Sequence, residues 1–178
     1  MPELITSIFS FLTLVSHIVF VVCIFAFIYR KTWGHELIKF VHKHALWLGF
    51  GVSMVAIVGS LLYSNLIGFA PCTLCWWQRI FIYPQAVLFL VAILKKDRGI
   101  FDYALPLSIA AFIISLYQSY SNFSGISILP CTAEGGECSK IFVLEYGYIT
   151  IPLMSLTLVC YLLFIKLCAY KHENNSNS

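Results

Sequence analysis

Charge is what this sequence has least of. Only 11% of its 178 residues are Asp, Glu, Lys or Arg, against 60% hydrophobic. Soluble domains carry about a quarter charged and about half apolar residues. A soluble chain of this length cannot hide so much apolar surface, so lipid must be its solvent; the mean hydropathy of +0.88 agrees. The net charge of +3 forms no basic patch. The Lys and Arg residues sit between apolar runs, where topology uses them, so no nucleic-acid partner is expected. No Gly-rich phosphate loop, serine triad or carboxylate pair is present. His42-Lys43-His44 is a scrap of metal-like spacing in a basic setting. It reads as a topological flank, and no metal site is expected.

What is abundant is apolar sequence in long runs. A span of the hydrocarbon core needs about 20 mostly apolar residues. Five stretches approach this, at 4–29, 45–69, 76–94, 103–120 and 149–167. The first has no basic residue before it, Arg30 and Lys31 after it, and no convincing small-residue cleavage site. It therefore reads as a retained helix with its N-terminus outside, not a signal peptide. Nine basic residues (Arg30, Lys31, Lys39, Lys43, Lys95, Lys96, Arg98, Lys166 and Lys171) fall in one set of loops. Arg79 and Lys140 alone fall in the other, completing the 11. The first set should be cytoplasmic.

The expected fold is an all-α integral membrane protein: a four-helix transmembrane bundle over 45–170 with an additional N-terminal transmembrane helix over 1–30. A basic cytoplasmic connector (31–44) joins them, and a disordered cytoplasmic tail (171–178) follows. Small residues mark the helix contacts. Gly49, Ser53, Ala56 and Ser60 recur at helical spacing on the second span, as do Ser108, Ala111, Ser115 and Ser119 on the fourth; such stripes let helices approach closely in lipid. Residues 141–148 are too short to cross and rich in apolar groups, so they should lie in the outer interface. His17, inside the first span, reads as packing or an interfacial group.

Seven cysteines are many for this length. Cys23, Cys160 and Cys168 lie inside apolar stretches and read as packing residues. The other four form two pairs, and the charge count puts both outside, where disulfides persist. The first pair is in Pro71-Cys72-Thr73-Leu74-Cys75-Trp76-Trp77-Gln78-Arg79. Cys-x-x-Cys spacing suits reversible redox chemistry. The motif begins a transmembrane helix, so Cys75 sits at the positive end of the macrodipole. Arg79, four residues on, shares its face. Helix N-terminus and cation together favour the thiolate.

An arginine near the hydrocarbon boundary needs a reason. Snorkelling to the headgroups is one; donating to a polar ring within the membrane, such as a quinone's, is the other. Gln78 could donate to the same ring. Trp76 and Trp77 fit an interfacial belt. The second pair, Cys131 and Cys138, brackets a short segment with two glycines in a long polar connection. A structural staple is the plain reading; against it, the exposed loop has little fold to staple, and exposed disulfides tend to be labile.

The run Cys72-Thr73-Leu74-Cys75 with Gln78-Arg79, followed by an outer loop with a second cysteine pair, resembles the DsbB family of disulfide bond formation proteins. The resemblance covers roughly 45–168, and the short Cys131–Cys138 spacing is closer to the BdbC-like type. The first helix departs from the four-span pattern. The resemblance implies a bacterial inner-membrane thiol oxidoreductase that reoxidises an extracytoplasmic thioredoxin-like (DsbA-like) partner. The partner attacks the Cys131–Cys138 disulfide, Cys131 by chain order, and electrons pass to Cys72 and Cys75. Cys75 and Arg79 then adjoin the cofactor, a membrane quinone (ubiquinone or menaquinone). The rivals are a thiol relay like vitamin K epoxide reductase, a reductant transporter, and a non-enzymatic scaffold with structural disulfides.

Overall fold

In the computed structural model the described backbone covers residues 2–29, 34–125 and 141–176, with side chains described over 3–29, 34–125 and 141–170. The described residues form six α-helices: α1 (Pro2–Ile28), α2 (His35–Lys43), α3 (Ala45–Leu61), α4 (Thr73–Lys95), α5 (Ile100–Ser124) and α6 (Ile151–Ser176). Five stretches are long and apolar enough to cross a membrane, α2 and α3 running together as one of them. In hydrocarbon no water satisfies a free backbone, so an apolar run of this length closes its own hydrogen bonds as helix.

Several ends differ from the sequence expectation for local reasons. α3 gives way to one π-helical turn, Leu62–Leu66, short of the expected end at 69. α4 starts three residues before 76 because Cys72 caps it, its Sγ accepting the Cys75 N–H at 3.3 Å. α5 runs past 120 to a left-handed cap at Gly125, φ +69°. α6 carries on through 171–176, where a disordered tail was expected; no Gly or Pro stands there to stop it.

The small-residue stripes lie at the helix contacts. Ser53, Ser108, Ala111, Ser115 and Ser119 are buried. A Cβ on Gly49 would meet the Phe89 ring of α4 at 2.7 Å, so only glycine allows this approach. Polar groups join helices where lipid leaves them no other partner. Ser108 Oγ donates to Gln85 Oε1 at 3.0 Å, and Gln85 Nε2 donates to the Phe81 carbonyl at 3.0 Å. At one end of the bundle Arg98 touches His42 and Lys166 pairs with Asp102 at 2.5 Å. The other end carries Cys72, the π-turn and the 141–150 segment, which is closed by paired backbone hydrogen bonds between Glu145 and Ile149.

α1 packs against α2 and α6 and leaves most of its surface outward; among its described residues only Ser10 is buried. Phe20 stacks edge-on against Tyr161 of α6 at 4.9 Å. His17 is held by α6 and the 141–150 segment. Thr157 donates its hydroxyl to the Leu153 carbonyl at 2.8 Å. His17 Nε2, 2.8 Å from Thr157 Oγ1, must then be the donor, and Nδ1 accepts from the Tyr148 hydroxyl at 3.3 Å.

Candidate functional site

The Cys-x-x-Cys motif lies where a loop becomes a membrane helix. Pro71 cannot continue a helix backward, and the Cys72 side chain takes the orphaned N–H three residues on. This capping turns both sulfurs to the same side, 2.7 Å apart. Bonded sulfurs sit about 2.05 Å apart, so a disulfide here needs only a small shift. Cys72 is 3% exposed. Its hydrogen bond with Cys75, then burial, push its thiol up.

A glutamine from α5 completes the pair. Gln118 Nε2 lies 3.2 Å from Cys72 Sγ and 3.4 Å from Cys75 Sγ, donating to both. Its carbonyl accepts from Gln78 Nε2 at 2.6 Å. Gln78, expected to donate to a ring, thus gives one N–H to Gln118 and holds that amide's orientation. An N–H aimed at sulfur stabilises it when it carries charge.

Arg79 is anchored rather than loose. Nε donates to Ser60 Oγ at 2.9 Å and Nη2 to the Ser60 carbonyl at 3.3 Å, while the guanidinium lies 5.1 Å from the Trp76 ring centroid. Guanidinium has five N–H donors. Among the described residues Ser60 alone takes hydrogen bonds from it, which leaves three for a ligand. Trp76, expected only in an interfacial belt, also stacks on this cation.

Cys72, Cys75, Gln78, Arg79 and Gln118 line one cavity of about 420 Å³. Small-molecule sites run from about 300 to 1,000 Å³. Tyr83 and Asn122 line it too, and the Tyr83 hydroxyl and Asn122 Oδ1 are buried without a hydrogen-bond partner among the described residues. Buried polar atoms left unpaired are costly and ask for a partner. The rest of the wall is mostly apolar. Arg79 and Tyr83 suit a flat apolar ring bearing hydrogen-bond acceptors, and Asn122 Oδ1 asks for a donor.

The chain matches the family described as disulfide bond formation protein DsbB over residues 42–170. It belongs to the DsbB family. Disulfide bond formation protein C of Bacillus subtilis is 36% identical over 141 residues, 77% of this chain and 97% of that protein. Probable disulfide formation protein C 1 of Bacillus cereus is 36% identical over 119 residues, covering 64% and 83%. A probable disulfide formation protein of Coxiella burnetii is 31% identical over 137 residues, covering 74% and 91%. No solved structure matches the chain at a significant level. As a DsbB-family member with five apolar helices, the chain is a multi-pass membrane oxidoreductase of disulfide formation.

Of the predicted site residues, the fold brings Cys72, Cys75, Gln78 and Arg79 to one cavity. Cys131 and Cys138 lie outside the described residues. Cys23, Cys160 and Cys168 are unbridged and absent from the cavity wall; Cys168 is fully buried in the helix core. Gln118, Tyr83 and Asn122 were missed from sequence. An amide inside an apolar span was the available signal for Gln118, since polar groups at membrane depth are expensive. Ser60 was seen only as a small residue, and its hydroxyl is the anchor for Arg79.

Proposed function

We propose that this DsbB-family chain is a dithiol:quinone oxidoreductase that reoxidises a thioredoxin-like partner on the extracytoplasmic face of a bacterial inner membrane. One observation carries the reading: the close Cys72/Cys75 pair opens into the same cavity as an anchored Arg79 with spare donors.

In this reading the partner's thiolate attacks the Cys131–Cys138 disulfide, and its second thiol resolves the mixed disulfide, leaving the loop pair reduced. The loop thiols then reduce the Cys72–Cys75 disulfide by the same exchange, with Cys72 as the sulfur attacked. Each exchange moves two electrons, and the two protons released per dithiol balance the overall reaction. A quinone held in the cavity would supply the sink for the two electrons and two protons of each dithiol. Cys75 is the donor sulfur on the cavity side. Gln118 holds both sulfurs, and Gln78 holds Gln118. Arg79 and the Tyr83 hydroxyl donate to ring carbonyls, Arg79 favouring the form that gains negative charge. The unpartnered Tyr83 and Asn122 atoms are the fit test: the Tyr83 hydroxyl can donate to a quinone carbonyl, and Asn122 Oδ1 can accept from a hydroxyl of the quinol.

The basic loop ends give the orientation. Lys39, Lys43, Lys95, Lys96, Arg98 and Lys166 belong to helix ends opposite the cysteine motif, so the positive-inside bias turns Cys72 and Cys75 outward. The test is quinone reduction by the purified protein, driven by a reduced thioredoxin-like dithiol. Turnover in wild type that vanishes in Cys75→Ser supports the path. No reduction of ubiquinone or menaquinone analogues by intact protein sinks it.

A further inference from the structure

The helix that lies outside the family match is part of the cavity. Phe9, Leu12, Thr13 and Ser16 of α1 line the same space as Cys75 and Arg79. The cavity wall has two chemically distinct sets of residues. Cys75, Gln78, Arg79 and Gln118 supply polar groups from α4 and α5. Phe9, Leu12, Val55, Gly59 and Leu158 supply an apolar wall from α1, α3 and α6.

α1 is not placed there loosely. Tyr161 Oη donates to the Ser16 carbonyl at 2.6 Å, and His17 joins Thr157 and Tyr148. These contacts sit at the level of the cavity and fix the rotation that turns Phe9, Thr13 and Ser16 toward it, with Leu12 at its exposed mouth. On the facing side, Gly59 lies beside the Phe9 ring, where a Cβ would meet it at an ordinary contact distance of 3.5 Å. Phe9 also lies 5.8 Å from the Tyr63 ring of the π-turn. A ligand that meets both sets carries a polar ring and a long apolar tail.

We propose that α1 forms one wall of a crevice for the prenyl tail of the quinone, so that this added helix sets the chain's preference for long-tailed quinones. The inference rests on the quinone reading above. Without α1 the space between α3 and α6 would open to lipid, and the tail would be held no better than an acyl chain.

The test uses the full chain in lipid nanodiscs and a quinone carrying a photoreactive azide at the end of its prenyl tail. Peptide mapping is expected to find label on α1 within residues 9–16, removed by unlabelled prenylated quinone and not by added phospholipid. Thr13→Trp, which fills the crevice, should cut that labelling about tenfold and raise the KM ratio of tailed to tailless quinone about tenfold. Leu12→Trp, at the exposed mouth, serves as a second variant where Thr13→Trp fails to fold. Ile18→Trp, on the outward face, should label as wild type. Label absent from α1, label unchanged in both crevice variants, or label removed by phospholipid alone overturns the proposal. Labelled α1 without quinone turnover would sink the oxidase reading and leave the crevice standing; turnover without α1 label would do the reverse.

Discussion

α1 and α6 are both long and apolar, α1 the more so, yet they live differently in the fold. In the α6 span 44% of the residues are buried inside the protein; in α1 it is 6%. Hydropathy therefore reports insertion and says little about packing. What separates the two is how many of their residues meet a neighbouring helix. α6 faces α5 through Ser155, 3.5 Å from Ser115, and receives His17 on Thr157. α1 offers α6 one carbonyl, one imidazole and aromatic edges. Lipid tails are as apolar as leucine, so only close packing and hydrogen bonds draw helices together.

The contrast between a bundle that carries the chemistry and a helix that leans on it can be broken at several points. The largest effect is expected from Cys75→Ser: quinone-linked turnover should fall by about a thousandfold or more, since no other described thiol lines the cavity beside Cys72. Protein yield in the membrane should stay near wild type, because a first-turn serine suits a helix start. Turnover at a tenth of wild type or better would place the electron path elsewhere.

Gln118→Ala comes next. It removes the N–H shared by both sulfurs, and hydrogen bonds to charged groups are worth about 1.5–3 kcal/mol. Single-turnover reduction should slow by about ten- to a hundredfold, with the thermal midpoint moved little. A rate equal to wild type would show that the sulfurs need no donor from α5.

Gly49→Leu acts on packing alone. It drives a side chain into the Phe89 ring, and overpacking costs about 1–3 kcal/mol. The thermal midpoint in detergent should drop by several degrees while the residual folded fraction keeps normal KM values. An unchanged midpoint would show that α3 and α4 are free to separate.

His17→Ala is the smallest. Hydrogen bonds between membrane helices average about 0.6 kcal/mol, so the midpoint should fall only slightly, while protease access to α1 rises. A large loss of stability would mean that α1 belongs to the folding core and not to its outside. Cys160→Ser should be silent in turnover, since Cys160 is absent from the cavity wall.

Legibility followed the range of each signal. The stripe from Gly49 through Ser60 is read within one helix, and its burial at Ser53 came out as expected. The Cys72–Cys75 juxtaposition is equally local, needing one helical turn. Gln118 lies 43 residues from Cys75 on another helix, and nothing in its neighbours marks which face meets the thiols. Arg79 was legible as a costly residue, but its partner Ser60 is 19 residues back across a turn. The sequence marks α1 as an addition to the four-helix bundle, and nothing in its run of apolar residues marks the face that reaches the cavity.

By itself the sequence determined the solvent, the number of spans, the bias between the two ends of the bundle and the cysteine pair at a helix start. Each of these depends on composition, run length or spacing within a turn, and no folding is needed to read them. Tertiary structure decided which amide holds the sulfurs, what anchors Arg79 and that a helix beyond the family match closes the cavity. Helical periodicity assigns residues to faces; which faces meet depends on the fit of several helices at once, and that is a property of the packed bundle alone.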